Sequence, residues 1–190
     1  MNASAFALAV VAPKHGSLSV GPVTAPLLEK GFTMAQSSQA KTAAPELTFI
    51  PAGQELPAWT NRDALVQFLH EYLKPYQDTP TDIRRGLDDA LENRPSPGGF
   101  VLLARLEERL VGALVMLRTG MSGYISENLL LFVAVDGALR GHGIGATLVR
   151  AAIDRCDGDI KLHVEYDNPA KRLYEKTGFV NKYAEMRYQR

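Results

Sequence analysis

The chain is 190 residues long, 46% hydrophobic and 22% charged, which is enough for one domain with a real core and ordinary for a globular protein. Its 21 basic and 21 acidic residues cancel, so nothing points to a nucleic-acid or other polyanionic partner. Cys156 is the only cysteine and His15, His70, His142 and His163 are scattered, which excludes an intramolecular disulfide or a cysteine-rich metal site and leaves no metal expected.

In chain order, an apolar run from Ala5 to Ala12 comes first, but no Lys or Arg precedes it as a secretory signal requires. No run approaches the ~18 apolar residues of a membrane span. A cytoplasmic location without membrane contact is therefore expected, in keeping with the lone cysteine. Residues 1–45 are poor in charge and rich in Ala and Ser, and "MAQSSQAKTAAPE" from Met34 reads as a flexible leader. They are expected to lie outside the folded domain, as an extension or an over-called start, with the domain over residues 46–190.

"LTFIPA" (47–52) reads as a strand stopped by Pro51. A helix follows, capped at Thr60 or Asn61, with Leu65, Phe68, Leu69 and Tyr72 at helical spacing and an end before Pro75. "QDTPT" reads as a turn. "DIRRGLDDALEN" places Ile83, Leu87 and Leu91 on one face of a second helix, closed by "RPSPGG". "FVLLARLEE" and "RLVGALVMLRTG" read as antiparallel strands with a tight polar joint, and "SENLLLFVAV" (126–135) as a strand buried on both faces. Then come a glycine loop, a helix from Ile144 to Cys156, a strand "IKLHVEY" (160–166), and a helix in "NPAKRLYEKTG" with Pro169 early and Gly178 as its stop. One or two strands in "FVNKYAEMRYQR" end a β-α-α-β-β-β-α-β-α-β(-β) order.

The glycine loop "ALRGHGIGATL" (138–148) carries the chemistry. Gly141, Gly143 and Gly145 feeding a helix N-terminus describe an anion site, most often for phosphate. "GHGIGA" (141–146) formally fits a dinucleotide fingerprint, with Glu165 at the end of the next strand. That reading fails on geometry. Five residues separate Val135 from Gly141 where a tight turn is required, only 44 residues follow Ala146, and the preceding strands form a meander.

Arg140-x-x-Gly143-x-Gly145, taken with "DNPAKRLYEKTGF" (167–179), resembles the GNAT superfamily of acetyl-CoA-dependent N-acetyltransferases. The resemblance spans residues 46–190 and is sharpest from Leu129 to Phe179. It implies an α/β (α+β) fold: a mixed, mostly antiparallel sheet of six to seven strands, a splay between the two central parallel strands, and about four flanking helices. It further implies that acetyl-CoA, as co-substrate, lays its pyrophosphate on the backbone amides of Arg140, Gly141, His142, Gly143, Ile144, Gly145 and Ala146. Its pantetheine arm would pair with the peptide groups of Val133, Ala134 and Val135 inside the splay. Asn168 and Ala170 would contact the pantetheine or adenine end.

For the chemistry, the resemblance points to Tyr174 as the acid that protonates the departing thiolate. A primary amine must also lose a proton, because at neutral pH only about one molecule in a thousand of an amine of pKa ~10 is uncharged. Relatives use a strand carboxylate, and Glu127 has the parity of Leu129, two residues from where some place that acid. Each assignment has a plainer counterpart. Arg140 would be a solvated arginine that at most orders the loop, and His142 an exposed loop residue. Tyr174 would be a buried aromatic, Asn168 a helix cap and Glu127 a solvated strand end. Cys156, without a paired histidine, is no nucleophile. The expected activity is direct transfer of an acetyl group to an amine acceptor, whether small molecule, peptide N-terminus or lysine. "LKPYQDTPTD" and the 119–126 connection would shape the acceptor site, where Asp78 and Asp82 are able to attract a cation. A module that binds acyl-CoA without catalysis is the alternative. Dimers are common in the family, so a homodimer is compatible with the sequence.

Overall fold

Apolar residues alternate along the central strands, so each strand feeds two cores, one on either face of a single sheet. The computed structural model describes residues 44–92 and 97–188. The expected leader therefore lies outside the described residues up to position 43, as do residues 93–96, which include the first half of "RPSPGG", and the last two residues.

Strands β1 (Glu46–Pro51), β2 (Gly99–Leu106), β3 (Arg109–Arg118), β4 (Asn128–Val135) and β5 (Ile160–Leu162) lie in the order β1-β2-β3-β4-β5. All neighbours pair antiparallel except β4 and β5, which are parallel. Helices α1 (Arg62–Tyr72) and α2 (Pro80–Leu91) cover one face, where Leu65, Leu69, Ile83 and Leu87 meet Val101, Leu103, Val115 and Phe132. Helices α3 (Ile144–Ile153) and α4 (Lys171–Lys176) cover the other, where Leu148, Val149 and Tyr174 meet Leu102, Leu114, Val133 and Val135. The mixed, mostly antiparallel sheet with four helices is the expected fold class.

Local chemistry sets the helix starts. The Asn61 side chain accepts from the Ala64 amide at 2.9 Å, so of the two expected caps Asn61 is used. Thr79 caps α2 by accepting from the Asp82 amide at 3.2 Å, and Pro80 occupies the first helical turn, where its missing N–H costs nothing. The segment read as a turn thus supplies the start of α2, ahead of Asp82. Gly86 lets α2 lie against β4: a Cβ there would stand 2.5 Å from Leu131 Cδ2 and 2.9 Å from Phe132 Cε2.

Two expectations need correction. Among the described residues the sheet has five strands, because Phe179–Tyr188 runs without strand pairing, with Val180, Tyr183, Met186 and Tyr188 exposed. The fifth strand ends at Leu162 rather than Tyr166, because its neighbour turns away. In the β3–β4 register Val115 faces Phe132 while Met116 faces Leu130, so Leu131 is an extra residue on β4. Such a bulge bends a strand and increases its twist. Pairing of β4 with β5 stops at Leu130–Leu162, directly before that bulge. Beyond it the two parallel strands part.

Candidate active site

The gap has a polar wall made by β4. Backbone N–H and C=O groups alternate sides along a strand. The Asp136 amide donates to the Val111 carbonyl at 2.9 Å, which fixes the parity: Ala134 turns its polar groups to β3, while Val133 and Val135 turn theirs into the gap. Of the three residues expected to meet a pantetheine arm, Val133 and Val135 thus face the gap. Ala134 is corrected: its amide and carbonyl belong to the β3 ladder.

Above the gap, Asp136 Oδ1 accepts from the Ala138 amide at 2.9 Å and starts a single 3-10 turn, Gly137–Leu139. Gly141 and Gly143 take φ values of 82° and 87°, the left-handed region that glycine enters without a Cβ penalty. Gly145 needs no such freedom, since it is buried in the first turn of α3. Gly143 caps α3 with its carbonyl, accepting from the Thr147 amide at 2.9 Å, and offers no side-chain oxygen. Among the described residues the amides of residues 140–146 find no acceptor. Unpaired amides at a helix N-terminus, where the macrodipole leaves about half a positive charge, form a seat for an anion.

Arg140 does not extend toward that seat. Its Nη2 donates to the Tyr72 carbonyl at 2.6 Å and its Nε to the Val135 carbonyl at 3.3 Å. It binds the last turn of α1 and the end of β4 into one body, the loop-ordering role. The exposed His142 ring rests against the carbonyls of Leu139 and Arg140 at 3.3 and 3.1 Å.

Tyr174 lies on α4 in the core cluster that contains Val133 and Val135, only 4% exposed, with its ring edge against Phe179 at 5.6 Å. Burial pushes its phenol well above the usual range, so it stays protonated at any physiological pH. Its hydroxyl has no partner among the described residues. Asn168 is 2% exposed; its Oδ1 accepts from the Ala170 amide at 3.0 Å, while its Nδ2 is buried and unpaired. A buried donor without an acceptor costs about 1–3 kcal/mol, and a carbonyl-rich arm in the gap would relieve that cost. The unpaired loop amides, the gap-facing peptide groups and this orphan donor together fit coenzyme A.

Glu127 is corrected as the base. Its carboxylate accepts from the Asp159 amide at 2.8 Å and the Gly123 amide at 3.1 Å, bonds that hold its pKa below the usual carboxylate value. It clamps the β3–β4 connection to the turn before β5, at the closed end of the β4–β5 pair. The 119–126 connection leads into the same end of β4, at Asn128. No metal-binding group of three or more His, Cys, Asp or Glu occurs among the described residues. Burial pushes the Cys156 thiol up to about 11, away from reactivity.

The α1–α2 loop, Leu73–Thr79, is the segment expected to shape the acceptor site. Arg140 holds its start at Tyr72, and Tyr76 further on interacts with Asp167 and Glu165 beyond β5. Burial and those two carboxylates push the Tyr76 phenol up. The loop thus starts beside the open end of β4, where Arg140 joins the Tyr72 carbonyl to that of Val135. Within it, Asp78 is 3% exposed with neither carboxylate oxygen hydrogen-bonded.

Comparison with known proteins agrees with this geometry. The model of the Acetyltransferase (GNAT) family matches residues 62–179. Mycothiol acetyltransferase of Catenulispora acidiphila is 42% identical over 62 residues, 30% of this chain and 20% of that protein. The protein of the same name from Brachybacterium faecium is 33% identical over 84 residues, 42% of this chain and 25% of its own. The chain thus spans only about a quarter or less of the curated relatives it matches. A Bacillus subtilis acetyltransferase solved in complex with CoA superposes with a TM-score of 0.51 at 22% identity, covering 70% of this chain and 75% of that one.

Proposed function

The chain belongs to the GNAT acetyltransferase family, and from that premise we propose that it moves an acetyl group from acetyl-CoA to a primary amine by direct attack in a ternary complex. The observation that carries this reading is the parted β4–β5 pair with unpaired amides at its mouth. In this reading the amides of residues 141–146 hold the diphosphate, and Val133 and Val135 line up the arm as an added strand would. The Asn168 amide donates to the arm, and Arg140 keeps loop, β4 and α1 in register. The thioester is already activated, so the protein supplies position and proton transfer. Tyr174, protonated and unpartnered, is the acid placed for the leaving thiolate. The acceptor enters under the α1–α2 loop. A cytoplasmic setting goes with this reading, as does the free Cys156.

The lack of a carboxylate on the gap-facing positions of β4 favours a second reading, a module that binds acyl-CoA without transfer. One assay separates the two: release of free thiol from acetyl-CoA, followed against a panel of alkylamines, aminoglycosides, amino acids and peptides. Amine-dependent release supports transfer. Tight CoA binding with no release across the panel supports the binding module. Failure to bind CoA refutes both.

A further inference from the structure

Resting on the acetyl-transfer reading, we propose that Asp78 is the catalytic base, holding the acceptor as an ammonium and removing its proton. The loop that carries it starts at the open end of β4, where Arg140 donates to the carbonyls of Tyr72 and Val135. Its backbone is fixed because the His70 ring contacts the Asp78 carbonyl at 3.1 Å. Its carboxylate is buried with both oxygens unpaired, and the neighbouring Gln77 Oε1 is buried and unpaired as well. Protein interiors rarely leave three acceptors without a donor. A substrate ammonium, which carries three donors and a positive charge, is the group that this cluster lacks.

The charged surroundings fit a base. Burial, helped by the charge of Asp82 on α2, raises the Asp78 carboxyl to about 6, while Arg187 on the C-terminal segment opposes that shift. Glu165 and Asp167 lie close enough to Tyr76 to raise its phenol, and they add negative potential that draws a cation in. A carboxylate raised toward neutrality is a stronger proton acceptor than an exposed one. The protons balance. The ammonium gives one proton to Asp78 and its nitrogen forms the bond to the acetyl carbon. The carbon–sulfur bond breaks, and the sulfur takes the proton of Tyr174. The amide nitrogen then returns its surplus proton to the phenolate, and Asp78 releases its own to solvent.

The test compares the full chain with Asp78→Asn and Asp78→Glu, using the best alkylamine of the panel and hydroxylamine, which is already uncharged at neutral pH. We expect CoA affinity to be unchanged within two-fold in titration calorimetry. Asp78→Asn should lower kcat/KM for the alkylamine about 100-fold, hydroxylamine should lose less than five-fold, and Asp78→Glu should recover part of the loss. The wild-type kcat/KM profile should fall on the acid side near pH 6, a limb absent from Asp78→Asn. Equal loss with both acceptors, an unchanged alkylamine rate, or an acid limb that survives the substitution overturns the assignment while leaving acetyl transfer standing. A wild-type protein that binds CoA but acetylates no amine overturns the transfer reading itself, and Asp78 as base with it.

Discussion

Replacing Arg140 distinguishes an arginine that builds the site from one that binds the ligand. In the structure its guanidinium is spent on two backbone carbonyls, Tyr72 at 2.6 Å and Val135 at 3.3 Å. A hydrogen bond from a charged donor contributes about 1.5–3 kcal/mol, and the longer bond less, so Arg140→Met should cost about 2–4 kcal/mol. For a domain of this size that is a fall in Tm of about 5–12 °C. The fall should be present without any ligand, in a plain thermal melt followed by circular dichroism. Arg140→Lys keeps the charge but loses the fork that reaches both carbonyls, so it should recover less than half. CoA affinity should fall in parallel with Tm in both variants. Wild-type stability combined with lost CoA binding, or full rescue by lysine, would show that the charge serves the diphosphate directly and would refute the reasoning.

Further outcomes follow from the same geometry. Tyr174→Phe should lower kcat about 100-fold with the dissociation constant of CoA within two-fold, measured by steady-state kinetics and calorimetry. Glu127→Ala should leave kcat unchanged and lower Tm. Its pKa is depressed by the Asp159 and Gly123 amides, so the stabilisation lost is present above the unfolded value and fades as pH falls through the folded one. Asp78 has the opposite sign. Its carboxyl is raised from 3.8 to about 6, so the folded protein holds the extra proton and loses about 1–3 kcal/mol of stability as pH rises from about 4 to about 6, after allowing for residual solvent contact. Urea melts across that range should show stability falling with pH more steeply in the wild type than in Asp78→Asn, the difference between the two being the Asp78 contribution.

Parts of this site were legible because the residues admit few alternatives. Left-handed backbone at Gly141 and Gly143 and a helix start with no side-chain cap are written in the glycine spacing and in the apolar period that follows. Asn61 and Gly178 likewise announce their helix ends. The gap is not legible, because Leu131–Val135 are apolar whether or not β5 pairs with them. The bulge at Leu131 is a register event with no residue signature. Glu127 misled because parity along a strand does not reveal which end of it is open. The α1–α2 loop and its Asp78 are legible as an acceptor-side segment, but the burial of Asp78 with both oxygens unpaired is a tertiary outcome that no local pattern announces. In the tail, Tyr183–Tyr188 carries a strand pattern, but the neighbouring β5 spans only Ile160–Leu162, so the pattern finds no long ladder to join.

Amide-resolved NMR titration of the 15N-labelled protein with CoA reads directly where coenzyme A meets the backbone. The largest shifts are predicted for Gly141, His142, Gly143, Ile144, Gly145 and Ala146, together with Val133 and Val135, while Ala134, Glu127 and the 119–126 connection stay nearly still. Saturating CoA that leaves the loop and the gap-facing amides unmoved, or that shifts Ala134 as strongly as its two neighbours, would contradict that placement.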